Sequence, residues 1–150
     1  MRPFALARVL ALAEQRAEAL SRAVKHSHGV WLRARGRLVQ LNSLRDAHIV
    51  QLGGRLRSGV PAVQLQAAQR LQRAQADERA AAQAAIDAAW HAWQARLAEW
   101  MQAAQRLKAL QLLEQRHRAH LAVQQRRIEQ RQHDELAELR HRRESGRRGS

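Results

Sequence analysis

Apolar residues recur along the first third of the chain at alternating steps of four and three. From Leu6 the steps fall on Leu10, Ala13, Ala17, Leu20, Val24, Ser27, Trp31, Ala34, Leu38, Leu41, Arg45, His48 and Leu52, and eleven of these fourteen positions are apolar. Further on, the same stepping runs through Ile86, Trp90, Trp93, Leu97, Trp100, Ala104 and Leu107, then more loosely through Leu110, Leu113, Leu121, Ile128 and Leu139. A narrow seam at 3.5-residue spacing is the pattern of a coiled coil, not the broad apolar face of a globular helix.

One interruption separates the two runs. Gly53, Gly54, Ser58, Gly59 and Pro61 fall within nine residues, and glycine and proline do not cluster again before the terminal Glu144–Ser150 stretch. The chain therefore predicts a single elongated domain over residues 1–150, with a helix over about 3–57, a turn over about 58–61, a helix over about 62–143 and a disordered tail over about 144–150. Pro3 suits the first turn of a helix. Gly29 and Gly36, with Ser27, predict a soft spot in the first helix.

So short a turn forces the helices antiparallel. Folding about position 59 or 60 pairs residues whose numbers sum to roughly 119, which sets Leu6 against Leu113, Leu10 against Leu110, Leu20 against Trp100, and Trp31 against the neighbourhood of Ala88 and Ala89. The expected fold class is all-α: a long antiparallel two-helix coiled-coil hairpin with a projecting C-terminal helix. At a rise of ~1.5 Å per residue the helices would run roughly 80 and 120 Å, leaving the chain beyond about His117 without an intrachain partner. An isolated helix is barely stable in water, so that overhang is a candidate for docking on another chain.

Composition agrees with this picture and narrows it. Alanine, glutamine, leucine and arginine dominate; the chain has seven glycines, two prolines, one Phe, four Trp, no Tyr and no Cys. β-Branched and aromatic residues with frequent turn signals are nearly absent, which excludes sandwiches and barrels. Without cysteine there is no disulfide framework, thiolate zinc site or thiol nucleophile. The apolar stretch Phe4 to Ala13 contains Arg8 and is too short to span a bilayer, so the protein reads as cytoplasmic.

Charge adds a polarity. Lys and Arg number 27 against 13 Asp and Glu, a formal +14. Residues 1–57 carry 11 basic and three acidic side chains, residues 58–104 four and four, and residues 105–150 twelve and six. In an antiparallel hairpin the two basic parts lie side by side, so the terminal end of the hairpin is expected to concentrate positive charge and to attract an acidic surface.

No catalytic constellation emerges. His26 with His28, and His117 with His120, are the close histidine pairs, and no carboxylate completes a metal set around them; they read as solvated histidines. Glu14 and Glu18 flank Arg16 on an exposed face, whereas acid/base catalysis needs a shielded pocket. Gly53-Gly54 is followed by Arg55-Leu56 and lacks the Lys-Ser/Thr ending of a phosphate loop. The chain is expected to be no enzyme and to need no metal or cofactor. A nucleic-acid partner would use the basic charge, but the basic residues are interleaved with Gln and Glu, and the tryptophans fall on the seam away from exposed arginines.

The stretch from Trp100 through Arg106, Leu107, Lys108, Leu110, Leu113 and Arg116, followed by Glu129-Gln130-Arg131-Gln132-His133-Asp134-Glu135-Leu136-Ala137, resembles the C-terminal half of the FliJ family. Phe4 to Glu18, with its Val9-Leu10-Ala11-Leu12-Ala13-Glu14 core, is similar to that family's N-terminal helix. The joint spacing of Trp100, the Arg106 run and Asp134-Glu135 carries the resemblance. Arg131 stands where the family more often has Lys, and Leu71 to Ala82 is less apolar than a partner-binding face would be.

The resemblance implies a non-enzymatic part of the flagellar type III protein export apparatus. Such a protein acts as the central stalk of a hexameric export ATPase, couples that ring to the cytosolic domain of the export gate protein and is associated with export chaperones. It implies a place at the cytoplasmic face of the inner membrane, held there through partners, and a role in flagellum biogenesis and motility. Ring contact would fall to Arg2, Arg8, Arg16, Arg126, Arg127, Arg131, Asp134 and Glu135, and gate contact to Leu71, Gln75, Glu78 and Ala82. The stalk subunit of a virulence injectisome, a nucleic-acid-binding coiled coil and an export chaperone in its own right remain as alternatives.

Overall fold

The computed structural model describes residues 3–149. Two helices account for nearly all of them: α1 over Ala7–Ser58 and α2 over Ala62–Arg148, with no strand among the described residues. The fold is all-α, an antiparallel coiled-coil hairpin. The alanine- and glutamine-rich sequence favours helix at almost every position. α1 passes unbroken through Gly29 and Gly36, and α2 continues five residues past its expected end at 143.

The break between the helices is made by one glycine. Gly59 takes φ of 86°, a left-handed conformation that side chains disfavour. Its N–H donates to the Leu56 carbonyl at 3.4 Å, while the Ser58 hydroxyl donates to the Gly54 carbonyl at 3.2 Å. Pro61 follows, and its carbonyl accepts from the Leu65 N–H at 3.1 Å to start α2. Arg55 and Arg57 occupy the last turn of α1, where positive charge complements the carbonyl end of the helix.

The chain divides into two compact units, one made of the chain up to Gln15 with the chain from Ala104 onward, the other of Arg16–Ala103. In the first unit Leu10, Ala13 and Leu110 are buried together, with Phe4, Val9 and Leu107 packed against them. The Phe4 ring lies 5.6 Å from that of His117. From Ala122 to Gly149 every residue of α2 is exposed.

In the second unit α1 and α2 run antiparallel on either side of the turn. Ala17 and Leu41 are buried on α1, and Gln75, Ala82, Ala89 and Ala103 on α2. Gln75, Ala82 and Ala89 are spaced by seven, the heptad period of one coiled-coil position. Alanines at these positions let the helices approach closely, and the larger side chains fill the alternate layers.

The seam read from α1 holds from Leu10 to Leu52, each of its positions being buried or half-buried; Leu6 is exposed. On α2 four positions depart from the expectation, Ile128 and Leu139 being exposed along with Trp90 and Leu113. Trp90 is 43% exposed and Ala89 occupies the seam beside it, while Leu113 is 43% exposed and Glu114 is half-buried in its place. Pairing is also shifted by a few residues. Leu10 meets Leu110 as expected, but Trp31 meets Trp93, at 5.2 Å between rings, and not the Ala88 and Ala89 neighbourhood. Two large indoles thus share a layer, made possible because His28 packs against both.

Candidate functional site

The most elaborate side-chain arrangement lies in the middle of the second unit. The His28 ring sits 5.8 Å from Trp31 and 4.6 Å from Trp93, and the Arg35 guanidinium stands 4.8 Å above the Trp31 ring. Heptad positions bring His28, Trp31 and Arg35 to one side of α1, at spacings of three and four. The cation over an indole face adds electrostatic attraction to the packing. These ring contacts join α1 to α2 across the seam.

Nearer the turn a polar layer interrupts the apolar seam. Gln75 is 6% exposed, and its side-chain amide is hydrogen-bonded to the Nδ1 atom of half-buried His48. An open groove of about 280 Å³ borders this pair, lined among others by Leu52, Ala68, Leu71 and Gln72. Arg45, Ile49 and Arg79 line a second depression on the other side of the same pair. Between positions 66 and 76 alanine and glutamine dominate α2, and Gln75 is the one residue of that stretch that is buried.

The four positions proposed for gate contact do not share one open face. Gln75 and Ala82 are buried in the seam against α1, whereas Leu71 is 49% exposed and Glu78 lies at the surface, its carboxylate 3.9 Å from Arg37. The spacing of four, three and four that links these residues is the seam spacing itself, which is why half of them turn inward.

The positions proposed for ring contact are dispersed. Arg2 lies outside the described residues. Arg8 is exposed on α1 in the first unit, and Arg16 is exposed in the second. Arg126, Arg127, Arg131, Asp134 and Glu135 are all exposed on the C-terminal stretch of α2, where the Gln130 side chain donates to the Asp134 carboxylate at 3.3 Å. Since Phe4 lies against His117 and Leu10 against Leu110, Arg8 is level with the stretch around Leu113, and Arg126 is more than three helical turns further on. The structure therefore does not bring Arg8 together with the distal arginines.

Positive charge is likewise less concentrated than expected. The first unit holds 14 basic and seven acidic side chains and the second 13 and six, so each nets +7. Six of the basic residues of α1 lie between Gly29 and Arg57, in the second unit, which is what spreads the excess. Within that unit the asymmetry runs between helices: Arg16–Ser58 carries nine basic and two acidic residues, and Ala62–Ala103 four of each.

Of the positions that carried the family resemblance, Trp100 and Leu107 are half-buried and Leu110 is buried, while Arg106, Lys108, Leu113 and Arg116 are exposed. Of the histidines, His117 packs on Phe4 and His120 is bonded to Gln124 at 3.1 Å. Glu18 is paired with Arg22 at 3.1 Å. Among the described residues no group of three or more His, Cys, Asp or Glu could hold a metal ion, and no helix is long and apolar enough to cross a membrane.

The sequence places His48 in the seam and Gln75 at a gate contact without joining them, although the steps of seven from Ala89 through Ala82 mark Gln75 as a seam position. His28 was visible only as one of a histidine pair; its position three residues before Trp31 was the signal that it would stack.

Comparison with known proteins places these features in context. The sequence matches the family profile described as flagellar FliJ protein over residues 1–146. None of the curated proteins matches significantly. Among solved structures, a chain described as a YscO homolog, CT670 from Chlamydia trachomatis, superposes with a TM-score of 0.61 at 17% sequence identity, covering 95% of this chain and 96% of that one. At that identity the likeness is one of fold.

Proposed function

The chain belongs to the FliJ family, and from that premise we propose that it is a non-enzymatic component of the flagellar type III protein export apparatus, a central stalk that couples the hexameric export ATPase to the export gate. The observation that carries the reading is the family match across nearly the whole chain. The seam supports it: aromatic stacking and the polar layer stiffen paired helices against sliding, as a coupling element requires.

The C-terminal stretch of α2 is the proposed ring contact. From Ala122 to Arg148 it carries eight arginines against five acidic residues, all exposed. It presents charge and the apolar side chains Val123, Ile128, Leu136 and Leu139 to a partner. Seating it in an acidic pore would supply the tertiary packing that an unpaired helix lacks. Gate contact would rest on Leu71 and Glu78, the exposed members of the proposed set. An association with export chaperones and a place at the inner membrane through partners belong to the same reading.

Its test is the ATP turnover and hexamer content of the cognate ATPase with and without this protein. A ligand that prefers the assembled ring shifts assembly toward it, so both quantities should rise; no change in either refutes the stalk role. Reversing Arg126, Arg127 and Arg131 to glutamate should weaken the ring contact with helicity unchanged, and an unaltered affinity overturns the seating. A second reading, the stalk subunit of an injectisome, is favoured by the fold shared with a chain described as a YscO homolog. Loss of motility on deletion of the gene would favour the flagellar role, and intact motility with lost effector secretion the injectisome.

A further inference from the structure

The hairpin turn has a surface of which the stalk reading uses only Leu71. Between Asp46 and Asp77 there is no acidic residue, and the thirty positions hold Arg55, Arg57, Arg70 and Arg73, all exposed. The same interval exposes large apolar side chains: Ile49 at 51%, Val50 at 75%, Leu56 at 52% and Val63 at 77%. They are not scattered. Ile49 and Leu56 are seven apart and form one row along α1, and Val50 and Arg57 form the neighbouring row. Val63 and Arg70 repeat the spacing at the start of α2. Between the helices an open, largely polar groove of about 470 Å³ is bordered by Arg55, Ser58, Gly59 and Gln64.

Capping of α1 accounts for Arg55 and Arg57, whose charges complement the helix end. It does not account for Arg70 and Arg73, nor for two valines left three-quarters exposed beside them. Four arginines, of which only Arg73 has an acid one turn away, at Asp77, are interleaved with exposed aliphatic side chains and match the chemistry of an anionic bilayer surface: the cations attract the headgroups and the aliphatic groups enter the acyl boundary. Since no helix among the described residues is long and apolar enough to cross a membrane, the contact would be interfacial.

We propose that the hairpin turn, through Arg55, Arg57, Arg70 and Arg73 with Val50, Leu56 and Val63, docks directly on an anionic phospholipid bilayer. The groove at the turn gives headgroup phosphates a polar recess beside Arg55, and the acid-free interval removes the repulsion that would oppose them. Contact with lipid would orient the second unit without any protein intermediary.

The experiment is co-sedimentation of the full-length chain with vesicles of phosphatidylcholine alone and of phosphatidylcholine containing phosphatidylglycerol, across a salt series. Binding is expected only to the anionic vesicles and should weaken as salt rises. Arg55→Gln with Arg57→Gln should lower affinity about twenty-five-fold, at about fivefold per arginine. Arg142→Gln with Arg143→Gln removes the same charge far along α2 and should leave affinity within about twofold. Val50→Ser with Val63→Ser keeps the charge and should lower affinity at least about fivefold. Circular dichroism checks that each variant stays helical. Absence of binding to anionic vesicles overturns the proposal, as does equal weakening by the two arginine pairs, which would mark a response to bulk charge. Indifference to the valine pair also overturns it. No ATPase is present in the assay, so its failure and that of the stalk reading are separate results.

Discussion

Gln75 and His48, 27 residues apart in sequence, close a side-chain hydrogen bond across the seam of the second unit. Gln75 is the buried polar residue of that seam, and alanines lie seven and fourteen positions beyond it. Removing one member of such a pair strands the other, whereas replacing both with apolar groups leaves nothing unsatisfied. Gln75→Ala is therefore expected to destabilise the hairpin by about 1–2 kcal/mol. His48→Leu combined with Gln75→Leu should recover most of that loss. Urea unfolding followed by circular dichroism measures both, and a double variant weaker than the single one would refute the pairing.

Trp93 and Trp90 stand three residues apart and should behave differently. Trp93 is half-buried between His28 and Trp31, while Trp90 is 43% exposed and meets the ring of adjacent His91 edge-on at 5.2 Å. Trp93→Ala should cost about 3 kcal/mol, the lower end for removal of a large aromatic from a packed site. Trp90→Ala should cost less than about 1 kcal/mol. Equal losses would mean that the seam passes through Trp90 after all.

That contrast also explains how far the sequence could be read. On α1 the apolar period has few competitors: from Leu10 to Leu52 the steps of four and three land on residues turned toward α2. On α2 alanine is so frequent that the seam and its flanks look alike, and the eye follows the largest side chain. Trp90 was preferred to Ala89 for that reason, and Leu113 to Glu114. Coiled-coil seams accept small residues where helices come close and tolerate a carboxylate whose stem packs and whose head reaches solvent. The register is offset through the second unit, since His48 bonds to Gln75 and Trp31 packs on Trp93 where a fold about position 59 or 60 would set them against Leu71 and Ala88. Charge was legible as a total but not as a location, since a sum over residues 1–57 cannot tell the terminal end of α1 from the end near the turn. The family resemblance was legible from a spaced set of residues, and the match over residues 1–146 bears it out. Gln75 reads from sequence as a surface contact because glutamine is frequent throughout α2, and only its heptad spacing from Ala82 and Ala89 marks it as a seam position.

The first unit makes a parallel case for the shifted seam. Leu110 is buried with Leu10 and Ala13, and Leu113 is 43% exposed. Leu110→Ala should cost about 2–3 kcal/mol through lost burial and a residual cavity. Leu113→Ala should stay below about 1 kcal/mol. Thermal unfolding of the two variants ranks them, and the reverse order would restore the sequence-based pairing of Leu6 with Leu113.

Beyond Leu121 the described residues of α2 are exposed, and side-chain bonds run along the helix, with Gln124 bonded to His120 at 3.1 Å, Gln125 to Glu129 at 3.3 Å and Gln130 to Asp134 at 3.3 Å. Pairs of this kind contribute about 0.2–0.5 kcal/mol each, far less than burial of a seam leucine. Amide hydrogens from Ala122 to Arg148 are therefore expected to exchange orders of magnitude faster than those from Ala103 to His117, which open only with the seam. Gln130→Pro should abolish helix locally yet leave the midpoint of the seam's unfolding unchanged, because no buried side chain is involved. Added export ATPase should slow exchange across the distal stretch if the helix seats in the ring, and in the Gln130→Pro chain that protection should be lost. Uniformly slow exchange in the free protein would mean that the distal stretch is already packed against a second copy, which sedimentation equilibrium would reveal as a dimer.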